Sequence, residues 1–86
     1  MQLAIPHADC AKRAGIAIAT EIVVDKIDKG PNGATAWNKN TSMIIYCTSK
    51  GSTSSEAIIF ASGFQAKEAQ EAMRQLRDAM KAGIFD

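Results

Sequence analysis

The most regular pattern of apolar and polar positions lies towards the C-terminus. Ala66, Ala69, Met73, Leu76 and Met80 recur at alternating steps of three and four residues, and polar side chains fill the positions between. That spacing gathers five apolar side chains on one stripe and predicts a helix over 65–82. Lys67–Glu71 and Arg74–Asp78 add i,i+4 charge pairs along its surface. Gly83 supplies a stop, after which Ile84 and Phe85 can fold back on the last turn. The stripe lasts barely two heptads, so it describes a helix docked on a sheet rather than a coiled-coil seam.

The middle of the chain has a different rhythm. Met43-Ile44-Ile45-Tyr46-Cys47 and Ala57-Ile58-Ile59-Phe60-Ala61 are short apolar runs on either side of a polar loop around Lys50-Gly51. They predict an antiparallel hairpin. Lys29-Gly30-Pro31-Asn32-Gly33 is the strongest turn signal, and it leads into a short strand over 34–39 that bends at Asn38-Lys39-Asn40. Upstream of that turn, Ile16, Ile18, Ile22 and Val24 share one parity while Ala17, Ala19, Glu21 and Asp25 share the other. The alternation and the density of β-branched residues favour a strand over 16–28. The competing reading is a helix running to about Ile27, with Ala14, Ile18 and Ile22 as its stripe. Ala8 to Ala14 reads as a short helix, started by Pro6 and stopped by Gly15. The expected architecture is a single α+β domain over residues 1–86. It is an antiparallel three- to four-stranded meander with a C-terminal helix packed on one face and a short N-terminal helix.

The hairpin strands are apolar on both parities. Met43, Ile45 and Cys47 oppose Ile44 and Tyr46, and Ala57, Ile59 and Ala61 oppose Ile58 and Phe60. A sheet with one wet face alternates apolar with polar; these strands do not, so both faces call for cover. The C-terminal helix covers one. The other can meet the N-terminal segment through Leu3, Ile5, Cys10 and Ala14, a second subunit, another protein, or a small apolar ligand. On this pattern Tyr46 and Phe60 are assigned to the core.

Charge narrows the choice of partner. Ten Lys and Arg stand against nine Asp and Glu in 86 residues, a net charge of +1. Between residues 16 and 63 the split is even: Lys26, Lys29, Lys39 and Lys50 against Glu21, Asp25, Asp28 and Glu56. Phosphate contacts supply most nucleic-acid affinity, so an even charge disfavours a nucleic-acid partner, although Trp37, Tyr46 and Phe60 could stack single-stranded bases. No run approaches the roughly 18 apolar residues of a membrane span, and 1–7 lacks the basic-then-apolar order of a signal peptide. The expectation is a cytoplasmic protein without a membrane partner.

Residues able to carry chemistry are sparse. His7, the single histidine, lies three residues before Cys10 with Asp9 between them. A structural zinc needs four ligands and a catalytic zinc usually three, so no metal site is expected. Cys10 and Cys47 sit among small or apolar neighbours and read as buried reduced thiols; a disulfide between them and a reactive thiol are the alternatives. A Cys10–His7 nucleophile pair lacks an orienting group. Asp25 and Asp28, beside Lys26 and Lys29, read as a solvated strand end. Pro31 removes a donor from the Gly30–Gly33 turn, which therefore makes no phosphate cradle.

No enzyme and no cofactor is expected from this inventory. The sequence favours a small non-enzymatic protein-binding module, a stoichiometric adaptor or inhibitor that associates with itself as a homodimer. Its candidate contacts are Trp37, Asn38, Lys39 and Tyr46. Trp37 is the only tryptophan, set among small and polar residues; it either caps one edge of the core with its indole N–H in water or serves as a contact, since tryptophan is enriched where interfaces concentrate their energy. The alternatives are a single-strand nucleic-acid binder using an exposed sheet face and a small Cys-dependent enzyme.

Overall fold

A computed structural model describes residues 1–82. The expected stop at Gly83 and the return of Ile84 and Phe85 lie outside the described residues. The elements run β1 (Gln2–Leu3), α1 (His7–Glu21), β2 (Lys26–Gly30), β3 (Gly33–Trp37), β4 (Thr41–Ser49), β5 (Ser55–Gly63) and α2 (Ala66–Ala82). The strands form one antiparallel sheet in the order β1-β5-β4-β3-β2. The fold is α+β, as expected, with five strands rather than three to four.

The hairpin of β4 and β5 follows the expected register, with Ile44 opposite Phe60, Ile45 opposite Ile59 and Tyr46 opposite Ile58. The turn between β2 and β3 reduces to Pro31-Asn32, because Gly30 already pairs with Gly33. Gly33 has φ +144°, and a Cβ placed there would overlap the Ile45 carbonyl oxygen. Only glycine satisfies both conditions.

The expected strand over 16–28 is corrected. Residues up to Glu21 continue α1, and only Lys26–Gly30 is extended. The parity of Ile16, Ile18 and Ile22 is real, but Cys10, Ala14, Ala17 and Ile18 also fall on one helical face, and all four are fully buried. Packing of that face outweighs the modest strand preference of the isoleucines. Gly15, expected to stop the helix, lies inside it. A Cβ there would meet the Lys29 side chain at 3.1 Å, so glycine lets β2 approach the helix. The helix ends at Ile22, which turns extended while its N–H still reaches the Ile18 carbonyl at 3.1 Å.

Both helices lie on the same face of the sheet. α1 packs over β3 and β4, α2 packs over β5, and the helices touch each other. Small side chains permit the close approach: Ala14 and Ala17 on α1, Ala69, Ala72 and Ala79 on α2, and Ala34, Ala36, Ala57 and Ala61 on the sheet are all buried. Met43, Ile45, Ile18, Leu76 and Met80 fill the volume between. The stripe on α2 is rotated slightly from the expected one: Ala72 and Ala79 face inward, Met73 is half-buried and Ala66 is exposed. Buried Arg13 on α1 donates from Nη1 to the Met80 carbonyl at 2.8 Å. That bond places a cation on the carbonyl end of α2, where the helix dipole favours it.

The cysteines, read as reduced thiols, are bridged. Cys10 on α1 and Cys47 on β4 form a disulfide with Cα atoms 6.1 Å apart. The bridge depends on α1 lying across β4, a relation that sequence spacing does not reveal.

Candidate interaction face

Among the described residues, nothing covers the second face of the sheet. Residues directly opposite on neighbouring strands share a face, so the register defines its three central rows. Trp37, Ser42 and Ser62 form one row, Thr35, Ile44 and Phe60 the next, and Gly33, Tyr46 and Ile58 the third. Phe60 is 57% exposed, Ile58 55%, Tyr46 44% and Trp37 40%. The assignment of Tyr46 and Phe60 to the core is therefore corrected: both lie on the face that neither helix covers. The N-terminal segment does not supply the missing cover either. Its helix shares the inner face with α2, and Leu3 and Ile5 pack against that same core.

The open face has relief. A hollow of about 270 Å³ lies over Gly33, walled by Ile44, Tyr46 and the β2–β3 turn. A second, of about 240 Å³, lies among Thr35, Trp37, Ser42, Ile44, Phe60 and Ser62. The bulky side chains thus stand on β4, on β5 and at the end of β3, and the hollows lie along the rest of β3. Charge stays at the rim. β3 over 33–37, β4 over 42–46 and β5 over 58–62 contain no charged residue. Lys26, on β2 opposite Trp37, holds its ammonium 5.7 Å from the indole centroid, a cation–π distance.

The four sequence candidates separate into two groups. Trp37 and Tyr46 share the open face, about 13 Å apart along it from four residues of strand rise. Asn38 and Lys39 belong to the turn at one end. The Asn38 side chain organises that turn: Oδ1 accepts from the N–H groups of Asn40 and Thr41, each at 2.9 Å, and Nδ2 donates to the Val23 carbonyl at 2.9 Å. Lys39 is exposed at its tip. Val23 and Phe64, which the sequence did not single out, are 90% and 88% exposed near the same end. They are tied to that turn through the Val23 carbonyl and by the bond from the Phe64 N–H to the Asn40 carbonyl, 3.2 Å.

The chemistry-bearing residues are otherwise engaged. His7 donates from Nε2 to the Cys47 carbonyl at 3.1 Å. Cys10 and Cys47 are consumed by the disulfide, so neither offers a thiolate. Among the described residues no group of three or more His, Cys, Asp or Glu could hold a metal ion, and no helix is long and apolar enough to cross a membrane.

Comparison with protein-family models, curated proteins and solved structures found no match to this chain.

Proposed function

We propose that the protein is a non-enzymatic protein-binding module, acting stoichiometrically and associating with itself, whose working surface is the open face of the sheet. One observation carries the reading. Both helices pack on the inner face, while Trp37, Ile44, Tyr46, Ile58 and Phe60 form a contiguous apolar patch outside. Contiguous exposed apolar surface with a polar rim marks interaction sites on water-soluble domains. Trp37 and Tyr46 are anchors of the type that dominates such interfaces. Lys39, Val23 and Phe64 extend the surface round one end of the sheet.

The test compares immobilised wild-type protein with Trp37→Ala and Phe60→Asp. Proteins retained by the wild type and lost from both variants, with circular dichroism unchanged, support the reading; equal retention by all three ends it. A second reading rests on Trp37, Tyr46 and Phe60 sharing one exposed sheet face, the arrangement on which single-stranded bases stack. It requires mixed-sequence oligonucleotides to quench Trp37 fluorescence, with affinity that falls steeply as salt rises. The uncharged centre of the face favours a protein. The disulfide bears on location. Such bridges persist in oxidising compartments while the cytosol keeps thiols reduced, so the cytoplasmic placement expected from sequence applies only to a reduced form.

A further inference from the structure

We infer that the occupant of the open face is a second copy of this chain, packed sheet on sheet about a two-fold axis running along β4. The inference rests on the self-association in the proposed function and names the surface and register that produce it.

A two-fold axis parallel to the strands leaves each row at its own height and exchanges left for right. β4 then faces β4 of the second copy, and β5 faces β3. The rows convert that exchange into pairs. Ile58 meets Gly33 of the other copy, Phe60 meets Thr35, and Trp37 meets Ser62, while Ile44 and Tyr46 meet their own counterparts. In each exchanged pair a large side chain stands against a small one. The hollows are where those pairs require them: about 270 Å³ over Gly33 for Ile58, and about 240 Å³ beside Thr35 for Phe60. Along the axis Ile44 and Tyr46 meet their like, and the flanking strands close around them because each exchanged pair sets a large side chain against a small one; such complementarity of one patch with itself is what a two-fold interface demands.

Charge agrees with the same occupant. The three central strands carry no charged residue between the rows that would meet, so the axis brings no like charges together. Lys26 and Asp28 on β2 and Glu56 on β5 remain at the margins, where water still reaches them. Sheets packed face to face keep their strands within about 30° of each other, about 10 Å apart. A two-fold axis along β4 yields that geometry directly.

The test uses the full chain and two single substitutions, Phe60→Lys and Thr35→Asp. Light scattering across protein concentration is expected to give a dimer for the wild type. Each variant alone places two unsuited pairs in the interface and is expected to raise the dissociation constant at least tenfold. An equimolar mixture is expected to recover a heterodimer, because Lys at 60 then faces Asp at 35 while the other Phe60–Thr35 pair remains native. Circular dichroism and thermal unfolding confirm that each variant folds. A wild type that stays monomeric at millimolar concentration overturns the second copy as occupant, and the capture experiment above still decides whether another protein binds the face. Variants that dimerise as the wild type does show that the interface lies elsewhere. Two monomeric variants that do not combine overturn the two-fold register.

Discussion

Strands β3 to β5 present two apolar faces that are built in opposite ways. The inner face is made largely of small residues, Ala34, Ala36, Ala57 and Ala61, with Met43, Ile45 and Cys47 among them, and two helices lie close upon it. The outer face carries the larger side chains, Trp37, Ile44, Tyr46, Ile58 and Phe60, and none of the described elements lies on it. Aromatic side chains bury more area than any others and usually supply a core. Among the described residues, the buried core holds no tryptophan, tyrosine or phenylalanine. The inner face is shaped for its own helices, and the outer face holds the surface that a partner would gain from covering.

Breaking the disulfide should show the largest effect, and it acts on the inner side alone. Cys10 and Cys47 are 37 residues apart and tie α1 to β4. Closing a loop of that length restricts the unfolded chain by about 4 kcal/mol in the chain-entropy treatment. Cys10→Ala with Cys47→Ala is therefore expected to lower the urea midpoint sharply. An unchanged midpoint would show that the packing of α1 alone holds the inner face.

A matched pair of substitutions sharpens the contrast between faces. Ile45 is fully buried on the inner face, and Ile58, one strand away, is 55% exposed on the outer. Ile45→Ala should cost about 2–5 kcal/mol from lost burial and a residual cavity. Ile58→Ala should stay within about 0.5 kcal/mol in dilute protein, where association contributes nothing to stability. Denaturant titrations of both variants read the difference. Equal losses would mean that Ile58 is part of the monomer's core and that the outer face is not free.

The same contrast explains what could be read from the chain. The two-sided character of β4 and β5 was legible because a strand displays its faces in alternate residues, and each face was apolar in its own right. Which face the N-terminal helix takes was not legible, because Leu3, Ile5, Cys10 and Ala14 suit either. The strand expected over 16–28 failed at a true ambiguity: Ile18 and Ile22 satisfy a period of two and a period of four at once, and contact with β3 and β4 decides between them. The hollow over Gly33 depends on β3 lying beside β4, so the glycine reads only as a turn residue. Of the candidate contacts, Trp37 and Tyr46 were visible as aromatics in a chain short of them. The tie from Asn38 to the segment after α1 was not, since it needs Val23 brought near from before β2, whereas its bonds to Asn40 and Thr41 are local to the turn.

The smallest effect belongs to a third surface, the solvent face of α2, which is polar where the outer sheet face is apolar. Arg74 pairs with Glu71 one turn before it and reaches Asp78 at 3.2 Å one turn after it. The hydrogen bond from Arg74, reinforced by its charge, holds the Glu71 carboxyl below its ordinary value of 4.5. A carboxyl depressed in the folded state stabilises the fold above its unfolded value and loses that contribution as pH falls through its folded value. The loss should therefore appear only below pH 4.5, and Arg74→Gln should flatten it. Both side chains are more than half exposed, so solvent and salt screen the pair. Urea midpoints at pH 7 and pH 3, with and without 0.5 M salt (roughly a 4 Å screening length), are expected to differ between wild type and variant by only a small margin that salt removes. A large difference that survives salt would mean that α2 is held down through Arg74 rather than through Ala69, Ala72 and Leu76. The inner face would then depend on its polar rim as well as on its alanines.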